Sequence, residues 1–588
     1  MTAKVVALRI PPGIQRDGTR FDSIIYVDGK WVRFQRGRPR KMGGYKGVFL
    51  DATGISRGMA MTAVNGFNYV VSGFSDNLEQ WVTDSDDGVG SGPYSYTLSD
   101  FTVSADNLWQ FDIAYDSTGS NTNNLVAHPG QNLSYITSTI NTPVLRGVFP
   151  GNTGSLTMTK VGVFTASGGT VNLSPTFTLA TANVRVGAGQ SITGAGIPVG
   201  TTVASILGTA VTMSAPATAT ATITATFDNN ISVSGGCVVI HPYLFVYGNN
   251  GLIQNSSAGD FENWVAADAN ANNVATGKIL KGLPIRGGST SPSGLFWAAD
   301  ALIRVSFAPS TAGGVNYYWS YDLVSSQTSV MSSSGIIEYD GIFYWAGVDR
   351  FLSYNGVVQE IPNTINQNYF FDNLNLAQRQ KVWATKVPRY GEIWWFYPKG
   401  DATECTDAII YNVREQTWYD AGQALGARRS AGVFSEIFPK PIWAGNEVNS
   451  EGKYTLWQHE SGVDQVYLTN VNAVQSYFET ANLGTLGGLV GSSDQPGDNL
   501  WTRIERVEPD FIQNGEMTVT VTGRGYADDV DVESPPFPFK PTTLKVDMRE
   551  QRREMRLRFE SNTYNGDYQT GKILLSLTTG DVRSTGNP

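Results

Sequence analysis

Cysteine and histidine are almost missing from this chain of 588 residues, which has two of the first and three of the second. Cys237 and Cys405 cannot build a disulfide framework, and neither CxxC nor a Cys/His ligand spacing occurs, so the common zinc motifs are excluded. Charge is scarce too: Asp, Glu, Lys and Arg make up 16% of the residues, below the usual quarter. Glu, Lys and Leu do not dominate, which excludes coiled coils and helical solenoids. No stretch approaches 18 apolar residues, so no membrane-spanning helix is expected. The segment opening at Met1 lacks a signal-type hydrophobic run, and synthesis in the cytoplasm is the expectation.

What is abundant tells the rest. Aromatics reach 11%, with 14 Trp and 26 Tyr, beside 64 Gly and 26 Pro. Such a chain is too aromatic to be disordered and suits short strands joined by tight turns. One pattern recurs: a turn, an apolar-aromatic strand, a second turn and a short apolar strand. Copies begin at Tyr243, Gly294, Gly341, Gly391 and Pro441, spaced 51, 47, 50 and 50 residues apart, with earlier copies at Gly66 and, more weakly, at Asn124 continuing to Leu133-Ser-Tyr-Ile136. A period near fifty with several strands per period is that of β-propeller blades. The spacing predicts an all-β chain: a propeller of six or seven blades, with a small inserted β-module and a C-terminal β-domain.

The boundaries follow from composition. Residues 1–50 are a basic segment closing or docking the propeller, and 51–150 hold the first blades. Residues 151–235 form a Thr/Ala-rich inserted module, in which 151–230 carry only Lys160, Arg185 and Asp228 as charges and no Trp or Tyr. Residues 236–465 hold the remaining blades. From 466 to 588 the period stops, and alternating strands such as Met517-Thr-Val-Thr-Val521 indicate a separate β-domain.

Charge is unevenly distributed. Residues 1–50 hold eleven Lys/Arg and three Asp, a net of +8; the chain total of −10 therefore leaves −18 for the remainder. The run from Lys30 to Lys41 reads as a solvated strand and loop, as a docking surface for an acidic partner, or as a nucleic-acid contact. An acidic body argues against a protein that wraps nucleic acid. On the docking reading, Arg33, Arg36, Arg38 and Arg40 supply charge, and Trp31 and Phe34 are apolar anchors.

A search for chemistry yields no catalytic, cofactor or metal residues. The GxSxG match around Ser56 lacks the strand-before, helix-after context of a nucleophile elbow. His128 and His241 precede prolines, and His459 has no inferable triad partner. Asp268-Ala-Asn270-Ala-Asn272 begins like a calcium loop, but Asn273 replaces the required Gly. Asp84-Ser-Asp-Asp87-Gly88 reads as a turn. Ser492-Ser-Asp494-Gln-Pro-Gly497 resembles a sialidase Asp-box with the wrong spacing, outside the repeats. The expectation is that the chain is not an enzyme.

At Tyr26-Val-Asp-Gly-Lys-Trp31-Val-Arg-Phe-Gln-Arg-Gly-Arg-Pro39-Arg-Lys-Met-Gly43-Gly-Tyr45 the sequence resembles the tail hub, or nozzle, proteins of short-tailed bacteriophages, also called packaged-DNA stabilisation proteins. The blade around Glu392-Ile-Trp-Trp-Phe396 and the ending at Trp501-Thr-Arg-Ile-Glu-Arg-Val507 resemble theirs as well. The resemblance implies a virion protein forming a homohexameric ring below portal and adaptor proteins. Such a ring continues the DNA channel without sequence-specific binding, retains packaged DNA, and offers outer surfaces to tail fibre, spike or needle proteins. Two other readings stay open: a receptor- or glycan-binding fibre component, and a propeller glycosidase.

Overall fold

The computed structural model describes residues 4–20, 23–83, 90–97, 108–116, 122–130, 139–149, 154, 156–286, 291–312, 315–483, 501–526 and 529–579. The segments 84–88, 133–136 and 492–497 singled out above lie outside the described residues. The chain is all-β, of β-propeller type, with a small inserted β-module and a C-terminal β-domain. It divides into two compact units, one of residues 52–348 and 352–359, the other of residues 1–51, 349–351 and 360–588.

The first unit is a series of antiparallel blade sheets. Met59–Val64, Phe67–Gly73, Asn77–Thr83 and Ser91–Thr97 form one; Gln110–Asp116, Thr122–His128, Leu145–Val148 and Thr157–Lys160 form the next. Gly236–Ile240 opens a third sheet, Ile279–Pro284 a fourth, and the hairpin Ile336–Tyr339 with Ile342–Ala346 a fifth. The central strands Tyr243–Tyr247 and Ser293–Ala298 are buried along their whole length, because each is covered on both faces. Trp297 and Trp345 meet at 5.7 Å in one such layer.

Between the second and third sheets sits a six-stranded module whose sheet runs from Val163 to Asp228. It has its own core, in which Phe164, Phe177 and Phe227 pack together. Thr157–Lys160, inside the span assigned to the module from composition, instead pairs with the blade strand Leu145–Val148.

The second unit holds two further blade sheets. Trp383–Val387, Glu392–Tyr397, Asp407–Asn412 and Thr417–Asp420 make one. In the other, Arg429–Val433, Ile442–Val448 and Tyr454–His459 are joined by Tyr45–Ala52 from the other end of the sequence. The N-terminal segment is threaded through this unit: Asp28–Lys30 pairs with Ser476–Glu479, the hairpin Val32–Gln35 and Arg38–Lys41 reaches Asp567–Thr570, and Lys4–Ala7 pairs with Leu574–Thr579. These long-range pairings enclose one large core that includes Trp31, Phe34, Trp394, Phe478 and Phe559.

Candidate functional site

Three neighbourhoods of the second unit concentrate charged and aromatic side chains. The first is the N-terminal hairpin. Trp31 has a left-handed φ of 52° and is buried, with its indole Nε1 donating to the carbonyl of Gly43 at 3.0 Å. Phe34 is buried against Tyr26 and Tyr419. Arg33 is only 1% exposed and is fully engaged inside the chain. Its Nε and Nη2 donate to Glu392 at 2.8 and 3.1 Å, while Nη1 and Nη2 donate to Glu460 at 2.8 and 2.6 Å. The Tyr390 ring lies 3.7 Å from the guanidinium carbon. Glu392 also accepts from the Tyr419 hydroxyl and from Trp394 Nε1. Burial alone would pull the guanidinium down, but the two carboxylates outweigh it and hold Arg33 well above the ordinary arginine value.

This corrects the sequence reading of the segment. Trp31, Arg33 and Phe34 face the chain's own core, so they cannot serve as anchors for a partner. Only the turn and the second strand of the hairpin keep exposure. Arg36 sits at the turn with φ of 53°, and its backbone N–H donates to Glu415 at 2.7 Å. Arg38 donates to the carbonyl of Gly571, and Arg40 to Gln35. Sequence reasoning missed Glu392 and Glu460. A carboxylate opening the apolar run Glu392-Ile-Trp-Trp-Phe-Tyr397 was the available signal, because a buried charge persists only with a partner.

The second neighbourhood is a cavity of about 180 Å³ beside the sheet that receives Tyr45–Ala52. Tyr45, Trp457 and Tyr467 supply aromatic walls, and Arg429, Thr455 and Gln465 supply polar groups. Arg429 is buried and donates Nε to His459 Nε2 at 2.9 Å, which requires a neutral imidazole. Its Nη1 donates to the carbonyls of Leu425 and Arg428, and the Tyr45 side chain packs against the guanidinium. Burial pulls Arg429 down to about 10, against the favourable influence of Tyr45 and Glu447.

A third cluster is packed shut. Arg16 bridges Asp28 and Asp420, while Lys399 lies 3.6 Å from Asp407 and bonds the Tyr369 hydroxyl. Burial, then the Asp420 carboxylate, pushes Asp407 up to about 6, against the pull of Lys399. Asp407 and Asp420 are 0% and 1% exposed, too deep to meet a substrate as they stand.

The remaining candidates have structural surroundings. Ser56 is buried, accepting from Ser72 Oγ at 2.7 Å and donating to the carbonyl of Gly58. Asp268 accepts from Ser257 Oγ and from the N–H of Ala258, as a loop cap does. His128 accepts at Nδ1 from the N–H of Gly130, with Nε2 2.8 Å from Thr142 Oγ1 and 3.1 Å from the Val233 carbonyl. Cys237 and Cys405 are buried and not disulfide-bonded, and the Cys405 thiol donates to the carbonyl of Lys381. Among the described residues no group of three or more His, Cys, Asp and Glu could hold a metal ion, and no helix is long and apolar enough to cross a membrane.

No family model and no curated protein matches the chain. Solved structures do. An exo-β-1,3-galactanase from Phanerochaete chrysosporium, with galactose, is 11% identical over 91% of this chain and 100% of its own, with a TM-score of 0.23. A chain named glycoside hydrolase is 10% identical over 58% of this chain and 96% of its own, with a TM-score of 0.19. The expectation that the chain is not an enzyme is corrected here. These two solved structures are named for glycan hydrolysis, so that exclusion lapses, while scores this low assign no activity in its place.

Proposed function

We propose that this chain is a structural subunit of a short-tailed phage tail, a hub that assembles as a homohexameric ring below the portal and adaptor proteins. The observation that carries the reading is the N-terminal segment. The residues that resemble the hub family, Tyr26 to Tyr45, are the ones woven into the second unit by pairing with Ser476–Glu479 and Asp567–Thr570. The hairpin is thereby held as a fixed wall, with Arg36 exposed at its turn and Arg38 and Arg40 half-buried on its second strand. Basic side chains in a segment of +8, on a chain whose residues 51–588 sum to −18, give neighbouring subunits, or an acidic adaptor, an electrostatic term for docking. An acidic lumen would let DNA pass without adhering. In this role the protein resides in the virion and meets fibre, spike or needle proteins on its outer surface.

Reversing Arg36, Arg38 and Arg40 to Glu tests this directly. Ring or tail assembly should fail while circular dichroism of the subunit stays unchanged, since none of the three belongs to the buried network. Normal, genome-retaining particles from the triple variant would refute the docking role.

A second reading, a glycan-binding or glycan-cleaving propeller, is favoured by the aromatic-walled cavity around Arg429. Release of reducing sugar from bacterial surface polysaccharide by the purified chain would favour it over the hub.

A further inference from the structure

The second unit carries two surfaces of opposite charge, built from different elements. The basic one is a platform of three turns: the hairpin turn at Arg36 and Gly37, the blade turn between Val387 and Glu392, and the blade turn between Asn412 and Thr417. These turns are tied together. The Glu415 carboxylate accepts from the backbone N–H of Arg36 at 2.7 Å and of Gly37 at 3.0 Å. The Arg414 guanidinium donates to the carbonyls of Pro388 and Arg389, each at 2.8 Å. The Tyr390 ring gathers further cations, with the guanidinium carbons of Arg33, Arg389 and Arg40 at 3.7, 5.4 and 5.7 Å from its centre. Arg33 is spent on Glu392 and Glu460. Among the described residues, no carboxylate lies within ion-pair distance of Arg36, Arg40, Arg389 or Arg414. Arg36, Arg389 and Arg414 are exposed, so their charge faces outward.

The acidic surface is an open groove of about 470 Å³ on the C-terminal sheet, lined by Glu516, Thr518, Thr520, Glu533, Arg558 and Glu560 among others. Val519, Val521, Leu557 and Phe559 of the same two strands point into the core, so by alternation Thr518, Thr520, Arg558 and Glu560 point out. Arg558 is already engaged: its guanidinium carbon lies 3.6 Å from the Tyr477 ring centre, and Nη2 donates to Glu560 at 3.0 Å. Glu516 meets the exposed Lys540 at 3.7 Å, while Glu533 is exposed with no ion pair among the described residues. We propose that these surfaces are the two halves of one subunit contact, with the Arg36, Arg389 and Arg414 platform of one copy docking on the Glu516 and Glu533 groove of the next. Guanidinium groups entering the groove meet carboxylates, and threonine hydroxyls accept their remaining N–H groups. A nucleic-acid phosphate would match the platform but leave the groove without an occupant. Each copy carries both halves on separate elements, as a head-to-tail ring requires. The inference rests on the hub reading, which survives its failure because a ring can also close through other faces.

Charge-swapped copies of the full chain test the pairing. The platform variant carries Arg36→Glu and Arg389→Glu, the groove variant Glu516→Lys and Glu533→Lys, and all four positions are exposed. Sedimentation velocity at low salt should show wild type self-associating and each variant alone weakened at least about tenfold. An equimolar mixture of the two variants should recover the wild-type association, because each then offers the face that the other lacks. Circular dichroism checks the fold, and the groove variant alone decides the matter if the platform variant does not fold. The proposal is overturned if wild type stays monomeric, if either folded variant associates as wild type does, or if the mixture of two folded variants does not recover. A DNA duplex that binds wild type and loses the platform variant, with no recovery in the mixture, would assign the platform to nucleic acid instead. None of these outcomes decides the hub reading, which is judged by the ring in the virion.

Discussion

At the scale of single residues, the chain is held by charges placed where charges are expensive. Arg33 lies between Glu392 and Glu460 with almost no exposure, so removing it strands two carboxylates. Arg33→Ala should therefore destabilise the second unit by about 3–5 kcal/mol, read as a fall in the urea midpoint. Arg33→Met combined with Glu392→Gln and Glu460→Gln should cost less than the single change. A single variant that unfolds at the wild-type midpoint would contradict the closed network.

Two other buried groups make stability depend on pH with opposite signs. His128 in the first unit titrates at about 4 in the fold, against 6.5 unperturbed, because burial disfavours its cation. The unfolded chain then takes the proton first, so the contribution of neutral His128 is complete above pH 6.5 and drains as pH falls towards 4, by at most about 3 kcal/mol. Asp407 in the second unit is raised from 3.8 to about 6, so its contribution is complete below pH 3.8 and is lost as pH rises through 6. The two slopes oppose each other in the intact chain. Thermal midpoints of His128→Gln and Asp407→Asn, each compared with wild type at pH 4.5 and 7, should separate them. Identical pH slopes in all three proteins would show that neither group is coupled to folding.

At the scale of elements, the fifty-residue period was legible because blade strands are covered on both faces and therefore read as continuous apolar runs. The same double coverage hid the role of Val32–Gln35. The readings of Lys30 to Lys41 as a solvated strand or a docking surface placed Arg33 outside, whereas Val32, Arg33 and Phe34 are all buried. The partners that permit this, Glu392 and Glu460, lie some 360 to 430 residues away in sequence, and no local pattern reports such a distance. The cavity was equally silent, since Tyr45, Arg429 and Trp457 come from three separate strands. The inserted module was visible as a loss of charge and aromatics, and its sheet begins and ends on one antiparallel pair, Val163 opposite Asp228. With its ends adjacent and its core internal, the module can be cut out and closed by a short turn. Deleting 163–228 costs the Arg185–Asp260 ion pair but no blade strand. Near-UV circular dichroism from the blade tryptophans should survive the deletion; its collapse would show that the module is integral to the first unit.

At the scale of the whole molecule, the account places a basic N-terminal segment of +8 on a chain whose remainder is −18, and reads that asymmetry as a device for assembly. Ring subunits meet through unlike faces, so opposite charge on the two faces favours closure over stacking of like surfaces. Cryo-electron microscopy of the virion, with this chain carrying a fused density marker, tests the central claim most directly. The account predicts a single closed ring of marked subunits below the portal, coaxial with the DNA channel. Marker density confined to peripheral fibres, or absent from particles that still hold their genome, would contradict it.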